Sequence, residues 1–249
     1  MPLETGYLDR ALALLDAIVR DRGQRSLSEI AKSMHLPLAT AHRLAQRLVS
    51  TGYLVRSRRG YYHAGPVLAH LRQALDEAEV AVGIARPFLE RLARRFGCTA
   101  HLGRFDQDMV TYLLKTGHAQ NDLFTKETMQ QEAYCSGLGK ALLSGLGKDR
   151  LESYLAGGPF IRLTPNTIVD EGELRKEIAL TRARGYAIDN CEISDGLFCV
   201  AVPLKDETGD VFAAISLSFT DASVSPDNCQ PVVAALKAVA GRIRPSLLS

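Results

Sequence analysis

In the first part of the chain, apolar residues recur every three to four positions. In LDRALALLDAIVRDRG, Leu8, Ala11, Leu12, Leu15, Ile18 and Val19 fall on one helical stripe, and Gly23 follows the last turn. Ser26 and Glu29 have capping-box spacing, so a second helix is expected from there, with Ile30, Ala31 and Met34 inward. After a short His-Leu-Pro turn a third helix is expected from about Leu38. Ala41, Leu44, Ala45 and Leu48 form its apolar face and Gly52 ends it. Two short helices joined tightly and braced by another make a helix-turn-helix. Beyond Gly52, YLVRSRRGYYHAG alternates on either side of Ser57-Arg58-Arg59-Gly60, the pattern of a β-hairpin with a basic tip.

The polar positions of this module have a direction. Thr40, His42, Arg43, Gln46 and Arg47 share the outward face of the third helix. Such side chains donate to phosphates or read base edges in a major groove. Ser28 on the preceding helix and Leu38 and Ala39 at the start of this one belong to the same candidate surface. Arg56, Arg58 and Arg59 would lie along a DNA backbone or in its minor groove as a wing. Charge agrees: residues 1–75 hold 11 Lys or Arg against 5 Asp or Glu, a net +6, while the remainder holds 19 against 23, a net −4. A basic face attracts polyanions by counterion release.

From Pro66 to Gly97 the pattern is helical, with Pro87 expected to start a second helix. After Cys98 the period changes. CTAHLGRFDQDMVTYLLKTG reads as two strands around Asp-Gln-Asp, residues 119–127 as a further strand, and FCVAVPLKDETGDVFAAISLSF as a hairpin. Helical stretches are expected at about 138–146, 148–156, 171–184 and 226–246. The fold class is α+β, an N-terminal winged helix-turn-helix joined by a helical linker to a domain with an antiparallel sheet flanked by helices. The expected divisions are 1–66 for DNA binding, 67–82 for the linker and 83–249 for ligand binding and oligomerisation.

Composition narrows the setting. The apolar runs are too short to cross a bilayer, and the N-terminus lacks a secretory pattern, so no membrane partner is expected. Five scattered cysteines suit a reducing cytoplasm rather than a disulfide framework. The six histidines show no paired ligand spacing and there is no CxxC, so neither a metal nor another cofactor is expected. No nucleophile-elbow or Ser-His-Asp motif is present. Asp106 and Asp108 read as turn residues.

The stretch YCSGLGKALLS resembles a phosphate loop at first sight. That loop needs glycine four residues before Gly-Lys and a hydroxyl after it to ligate magnesium. Tyr134 and Ala141 stand there instead. A helix start capped by Ser136 remains. Gly137 and Gly139 would let a helix pack tightly on a sheet, or let an anion approach free N–H groups. Spacing alone favours packing, and Lys140 reads as a surface charge or one just behind such a site. Leu123, Phe124 and Met129 could wall a pocket or belong to ordinary core. As walls they would suit an apolar or aromatic acid.

Residues 8–71 resemble the winged helix of the IclR family of bacterial transcriptional regulators. The matching pieces are RALALLDAI, LSEIAKSMHLPLATAHRLAQRL, GYL and YYHAGPVLAHL. Thr40 and Arg43 keep their family positions. Ala39 replaces a usual serine, removing one phosphate-contacting hydroxyl, and Ala64-Gly65 replaces leucine-glycine. The rest resembles the family's effector-binding domain, which is related to the GAF fold. The resemblance implies that the backbone amides of Gly137 and Leu138 receive a ligand carboxylate. In DNCEISDGLFCVAVPL, Asp189 and Cys199 stand where the family places an acidic and a cysteine pocket residue, although the family's second acid is here displaced to Glu192. The expected function is a cytoplasmic, sequence-specific DNA-binding regulator responding to a small organic acid. It would act as a homodimer or homotetramer on near-palindromic double-stranded DNA. The alternatives are an enzyme acting on a small organic acid with an appended DNA-binding module, and a dimeric DNA-binding protein without a ligand.

Overall fold

A computed structural model describes residues 6–74, 77–117, 123–206 and 208–248. The chain divides into two compact units between residues 76 and 77. In the first, helices α1 (Tyr7–Asp21), α2 (Leu27–Ser33) and α3 (Leu38–Ser50) precede the antiparallel pair β1 (Leu54–Arg58) and β2 (Tyr61–Ala64), and α4 (Pro66–Ala74) follows. The expected capping box starts α2: the Glu29 N–H donates to Ser26 Oγ at 3.4 Å and the Ser26 N–H to Glu29 Oε2 at 2.7 Å. Losing such a cap costs about 1 kcal/mol. Leu14, Ile18, Leu27, Ile30, Ala41, Leu44 and Leu54 form the core. Each large aliphatic side chain buried there contributes about 1.5–3 kcal/mol. Leu8 and Leu12, expected on the buried stripe, are exposed. The buried face of α1 is centred on Leu14 and Ile18, because α3 and β2 press on that side of the helix.

In the second unit α5 (Glu77–Phe96) leads into β3 (Thr99–Asp106), β4 (Met109–Gly117) and β5 (Gln130–Glu132). Then come α6 (Gly137–Leu143), α7 (Lys148–Leu155), α8 (Glu171–Arg184), β6 (Ala187–Asn190), β7 (Phe198–Lys205), β8 (Val211–Phe219) and α9 (Gln230–Leu248). The stretch expected as a linker, 67–82, is thus shared between α4 and α5. Pro87 does not start a helix but lies inside α5. Ala81, Ala85, Leu89 and Leu92 continue one buried face past it, so packing outweighs the single backbone bond that proline removes. Residues 123–127 form no strand, and 119–122 of that region lie outside the described residues. Lys115 Nζ donates to the carbonyls of Leu123 (2.7 Å) and Thr125 (2.9 Å), so a side chain ties this stretch down where a ladder was expected.

The six strands form one antiparallel sheet in the order β5-β4-β3-β8-β7-β6. Helices α5 and α9 cover one face, and α6, α7 and α8 the other. Alternation sorts the strands between them. Phe198, Val200, Val202 and Leu204 of β7, with Ile215 and Leu217 of β8, meet α5 and α9. Cys199, Ser216 and Ser218 therefore point to the α6 side. A shift of register in the β3–β4 pair sets Leu102 opposite Leu114 but Gly103 opposite Tyr112. One extra residue reverses the faces of a strand. Leu114 accordingly joins the α5–α9 core while Tyr112 joins the α6 side.

Candidate functional site

The first unit presents a basic face. Pro37 precedes α3 without a side-chain cap, and Leu38, Ala39, His42, Arg43, Gln46 and Arg47 are exposed along it, with Thr40 half-buried. Ala41, Leu44 and Ala45 are buried behind them. The Arg43 guanidinium lies 5.7 Å from the ring centre of Tyr7. Ser28 is exposed on α2, its hydroxyl 2.9 Å from that of Ser26. The hairpin turns at Arg59-Gly60, where Gly60 has φ +80°. Arg58 belongs to β1 instead of the tip and stacks on the Tyr61 ring at 3.7 Å, a cation–π contact that stiffens it. Arg56, Arg58 and Arg59 are all exposed. The exposed polar face of α3 and the basic hairpin belong to the same compact unit, and α3 packs against β1.

The second unit encloses a cavity between the sheet and the start of α6. Its walls include Gly137, Leu138, Asp189 and Cys199, with Leu123 and Phe124, which the sequence left between pocket wall and core. Met129 does not line it. That residue packs in the adjoining apolar cluster, and its carbonyl accepts from the Tyr112 N–H at 3.0 Å. The free space is about 20 Å³, room for a water molecule. An organic acid enters only if a wall moves outward, and the Leu123–Thr125 side carries the half-exposed Phe124.

The start of α6 is built for close approach. Ser136 Oγ accepts from the Gly139 N–H at 3.0 Å and the Ser136 carbonyl from the Lys140 N–H at 2.9 Å. The Gly137 and Leu138 N–H groups are thereby left without a protein acceptor among the described residues. A Cβ on Gly139 would stand 2.0 Å from the Ala133 carbonyl oxygen, so this glycine serves packing. A Cβ on Gly137 would stand 3.3 Å from Cys199 Cβ, on the cavity side.

Asp189 and Cys199 are directly opposed across the β6–β7 pair. Asp189 is fully buried; its Oδ1 accepts from the Glu192 N–H at 2.7 Å, and its Oδ2 makes no hydrogen bond of ordinary geometry among the described residues, the Cys199 thiol being the side chain that approaches the carboxyl. Burial pushes its carboxyl from 3.8 up to about 7, against the Glu192 N–H bond; the Glu192 charge adds to the rise and Lys140 opposes it. Burial likewise pushes the Cys199 thiol well above its ordinary value, helped by the Asp189 charge. The thiol donates to Ser218 Oγ at 3.2 Å and is no nucleophile in this state. His101 is held neutral, lowered to about 3 by burial and then by Lys115, with Nε2 2.9 Å from Thr125 Oγ1. The Tyr112 hydroxyl donates to Gln131 Oε1.

Comparison with known proteins gives the same two-part division. The IclR helix-turn-helix domain matches residues 7–58, and the C-terminal domain of the bacterial transcriptional regulator IclR matches residues 72–244. The chain belongs to the IclR family of bacterial transcriptional regulators. It is 34% identical over 213 residues to the HTH-type transcriptional regulator BhcR of Paracoccus denitrificans, spanning 85% of this chain and 76% of that one. Its fold is similar to the IclR of Thermotoga maritima, at TM-score 0.64 and 28% identity, over 96% of this chain and 98% of that one. It is equally similar to an IclR homologue from Microbacterium hydrocarbonoxydans complexed with 4-hydroxybenzoate, at TM-score 0.64 and 26% identity, over 97% and 99%.

Within this IclR-family fold, sequence reasoning missed His101, Tyr112, Gln131, Ser216 and Ser218 as cavity walls. The signal was present. In AISLSF the serines alternate with Ile215 and Leu217, and in TAHLG His101 alternates with Ala100 and Leu102. Alternation of this kind is also the pattern of a strand with one solvent-facing side, and only the packing of α6 over this face shows that His101, Ser216 and Ser218 are buried. Of the two readings for Lys140, a surface charge or one just behind the site, the first fails: Lys140 is 1% exposed, and its Nζ lies 2.5 Å from Glu192 Oε1 and 3.5 Å from Glu177 Oε1. Among the described residues no group of three or more His, Cys, Asp or Glu side chains is placed to hold a metal ion, and no helix is long and apolar enough to cross a membrane.

Proposed function

We propose that this DNA-binding regulator senses a small organic acid in the cavity at the start of α6. The observation that carries the reading is the pairing, inside one buried space, of the Gly137 and Leu138 N–H groups with the unpartnered Asp189 oxygen. The amides suit a carboxylate, and Asp189, Ser216 and Ser218 suit a hydroxyl or oxo group two or three bonds away. A relative crystallised with 4-hydroxybenzoate supports an acid of that kind. With about 20 Å³ of free space any acid requires the Leu123–Thr125 wall to move, and a compact one requires a smaller movement than an aromatic one.

In this proposal the protein works in the cytoplasm as a homodimer or homotetramer. Residues 1–66 bind DNA, 67–82 connect, and 83–249 bind the acid and associate. Two winged helices place their α3 helices in successive major grooves of a near-palindromic site, with Arg58 and Arg59 on the backbone. An acid with unequal affinity for two arrangements shifts the DNA-competent population. Catalysis has no support in the cavity: the thiol stays protonated, and a histidine lowered to about 3 cannot take a proton from Ser218, 3.5 Å from its Nδ1.

A thermal-shift screen of short hydroxy, oxo and hydroxybenzoic acids against the full chain tests this. Stabilising acids are expected, with the shift lost in Asp189→Ala. A flat screen would favour a ligand-independent DNA-binding protein, and turnover of a bound acid would favour the enzyme.

A further inference from the structure

Lys140 is the one charged residue of YCSGLGKALLS, and the fold buries it completely. Burying an ammonium costs several kcal/mol unless it is well paired, so its partners show what it does. Lys140 Nζ meets Glu192 Oε1 at 2.5 Å, and the same oxygen accepts from the Asn190 N–H at 3.4 Å. On α8, Glu177 Oε1 is 3.5 Å from Lys140 and 2.8 Å from Arg184 Nη2. Glu192 is also held from the other side, its carbonyl accepting from Thr167 Oγ1 at 2.6 Å and Thr164 Oγ1 at 3.3 Å. The loop so clamped includes Cys191 at φ +57°, a left-handed conformation that such residues adopt only when the surroundings enforce it. The backbone N–H of Glu192 then donates to Asp189 Oδ1 at 2.7 Å, and Oδ2 is left unpartnered in the wall of the cavity.

We propose that Lys140 is a positioning residue for acid recognition, pinning Glu192 so that the Asp189 carboxyl keeps one oxygen tied to the loop and offers the other to the ligand. This rests on the cavity being the acid site. The groups that face Asp189 are Glu192 beside it, Tyr112 from β4, Cys135 ahead of α6, Cys199 from β7 and Lys140 from α6. Lys140 supplies positive charge and Glu192 negative charge, and the thiols and phenol are neutral at ordinary pH because burial raises them. Lys140 therefore favours the charged form of Asp189, and Glu192 opposes it.

The test is a pH titration of the Asp189 side-chain carboxyl by 13C NMR in the full chain, wild type against Lys140→Met and Glu192→Gln, with the Asp189→Asn spectrum as assignment. The two variants are expected to move the midpoint in opposite directions, Lys140→Met upward and Glu192→Gln downward, each by about one unit. Acid affinity, measured by calorimetry with whichever acid the screen finds, should fall about tenfold or more in Lys140→Met, with the pH profile displaced in step. A merely structural lysine would lower the melting temperature and move the midpoint through its charge alone, but leave acid affinity unchanged at pH values where Asp189 is fully ionised. Should Lys140→Met fail to fold, an unmoved midpoint in Glu192→Gln overturns the proposal. If acids bind wild type and Lys140→Met alike at those pH values, the Lys140 role falls and the cavity reading stands. If no acid binds wild type, the cavity reading and the role built on it fall together.

Discussion

Asp189→Asn should make the protein more resistant to urea at pH 8, by a few kcal/mol at most, and the gain should disappear by pH 4. Asp189 titrates near 3.8 when exposed and near 7 in the fold, because burial penalises its charge. Across that window the folded state binds more protons than the unfolded one, so stability falls as pH rises from about 4 to about 7 and is level beyond. Asparagine keeps an oxygen for the Glu192 N–H and carries no charge, so it removes the charge penalty, while its buried amide N–H groups give back about 1–3 kcal/mol of the gain. Urea unfolding of the second-unit transition at pH 4, 6 and 8 checks this. A variant no more stable than the parent at pH 8 would mean that the carboxyl is not strained by its site. The sacrifice of stability is the pattern expected of a group retained for binding.

Replacing Arg43 and Arg47 together by alanine should weaken specific DNA binding by about 2–6 kcal/mol, about 1–3 for each side chain that reads a base. If instead they touch phosphates, binding should weaken on all sequences alike and the salt slope should drop by about 1 for each. Both side chains are exposed on α3 while Leu44 behind them is fully buried, so the fold should survive the double substitution. Anisotropy titrations across a range of salt on an operator found by in vitro selection separate the cases. Unchanged affinity and slope would remove both residues from the interface.

The first unit was largely legible because its signals are local. Ser26 and Glu29 announce the start of α2 within four residues, and Ala41, Leu44 and Ala45 fix the inner face of α3 by period alone. Leu8 and Leu12 were misplaced because a leucine-rich helix offers more than one apolar stripe, and only its neighbours choose among them. In the second unit the β7–β8 hairpin was legible from its turn. The short β5 and β6, and the register shift that turns Tyr112 toward the cavity, depend on pairing with distant strands.

The candidate site divided the same way. Asp189 and Cys199 were found through family resemblance, and they prove to be cross-strand partners. Lys140 was left between the surface and a place just behind the site because a lysine reads as solvated until its partner is known, and Glu192 lies 52 residues along the chain. Met129 was a reasonable wall by composition, but its strand-end position beside Tyr112 turns it into core.

The most direct measurement is operator binding by the full chain, followed by fluorescence anisotropy with and without an acid that stabilises it. The acid should change DNA affinity about fivefold or more, and Asp189→Ala should abolish the response while keeping acid-free DNA binding. An acid that binds without altering DNA affinity, or an equal response from Asp189→Ala, would contradict a cavity that governs DNA recognition.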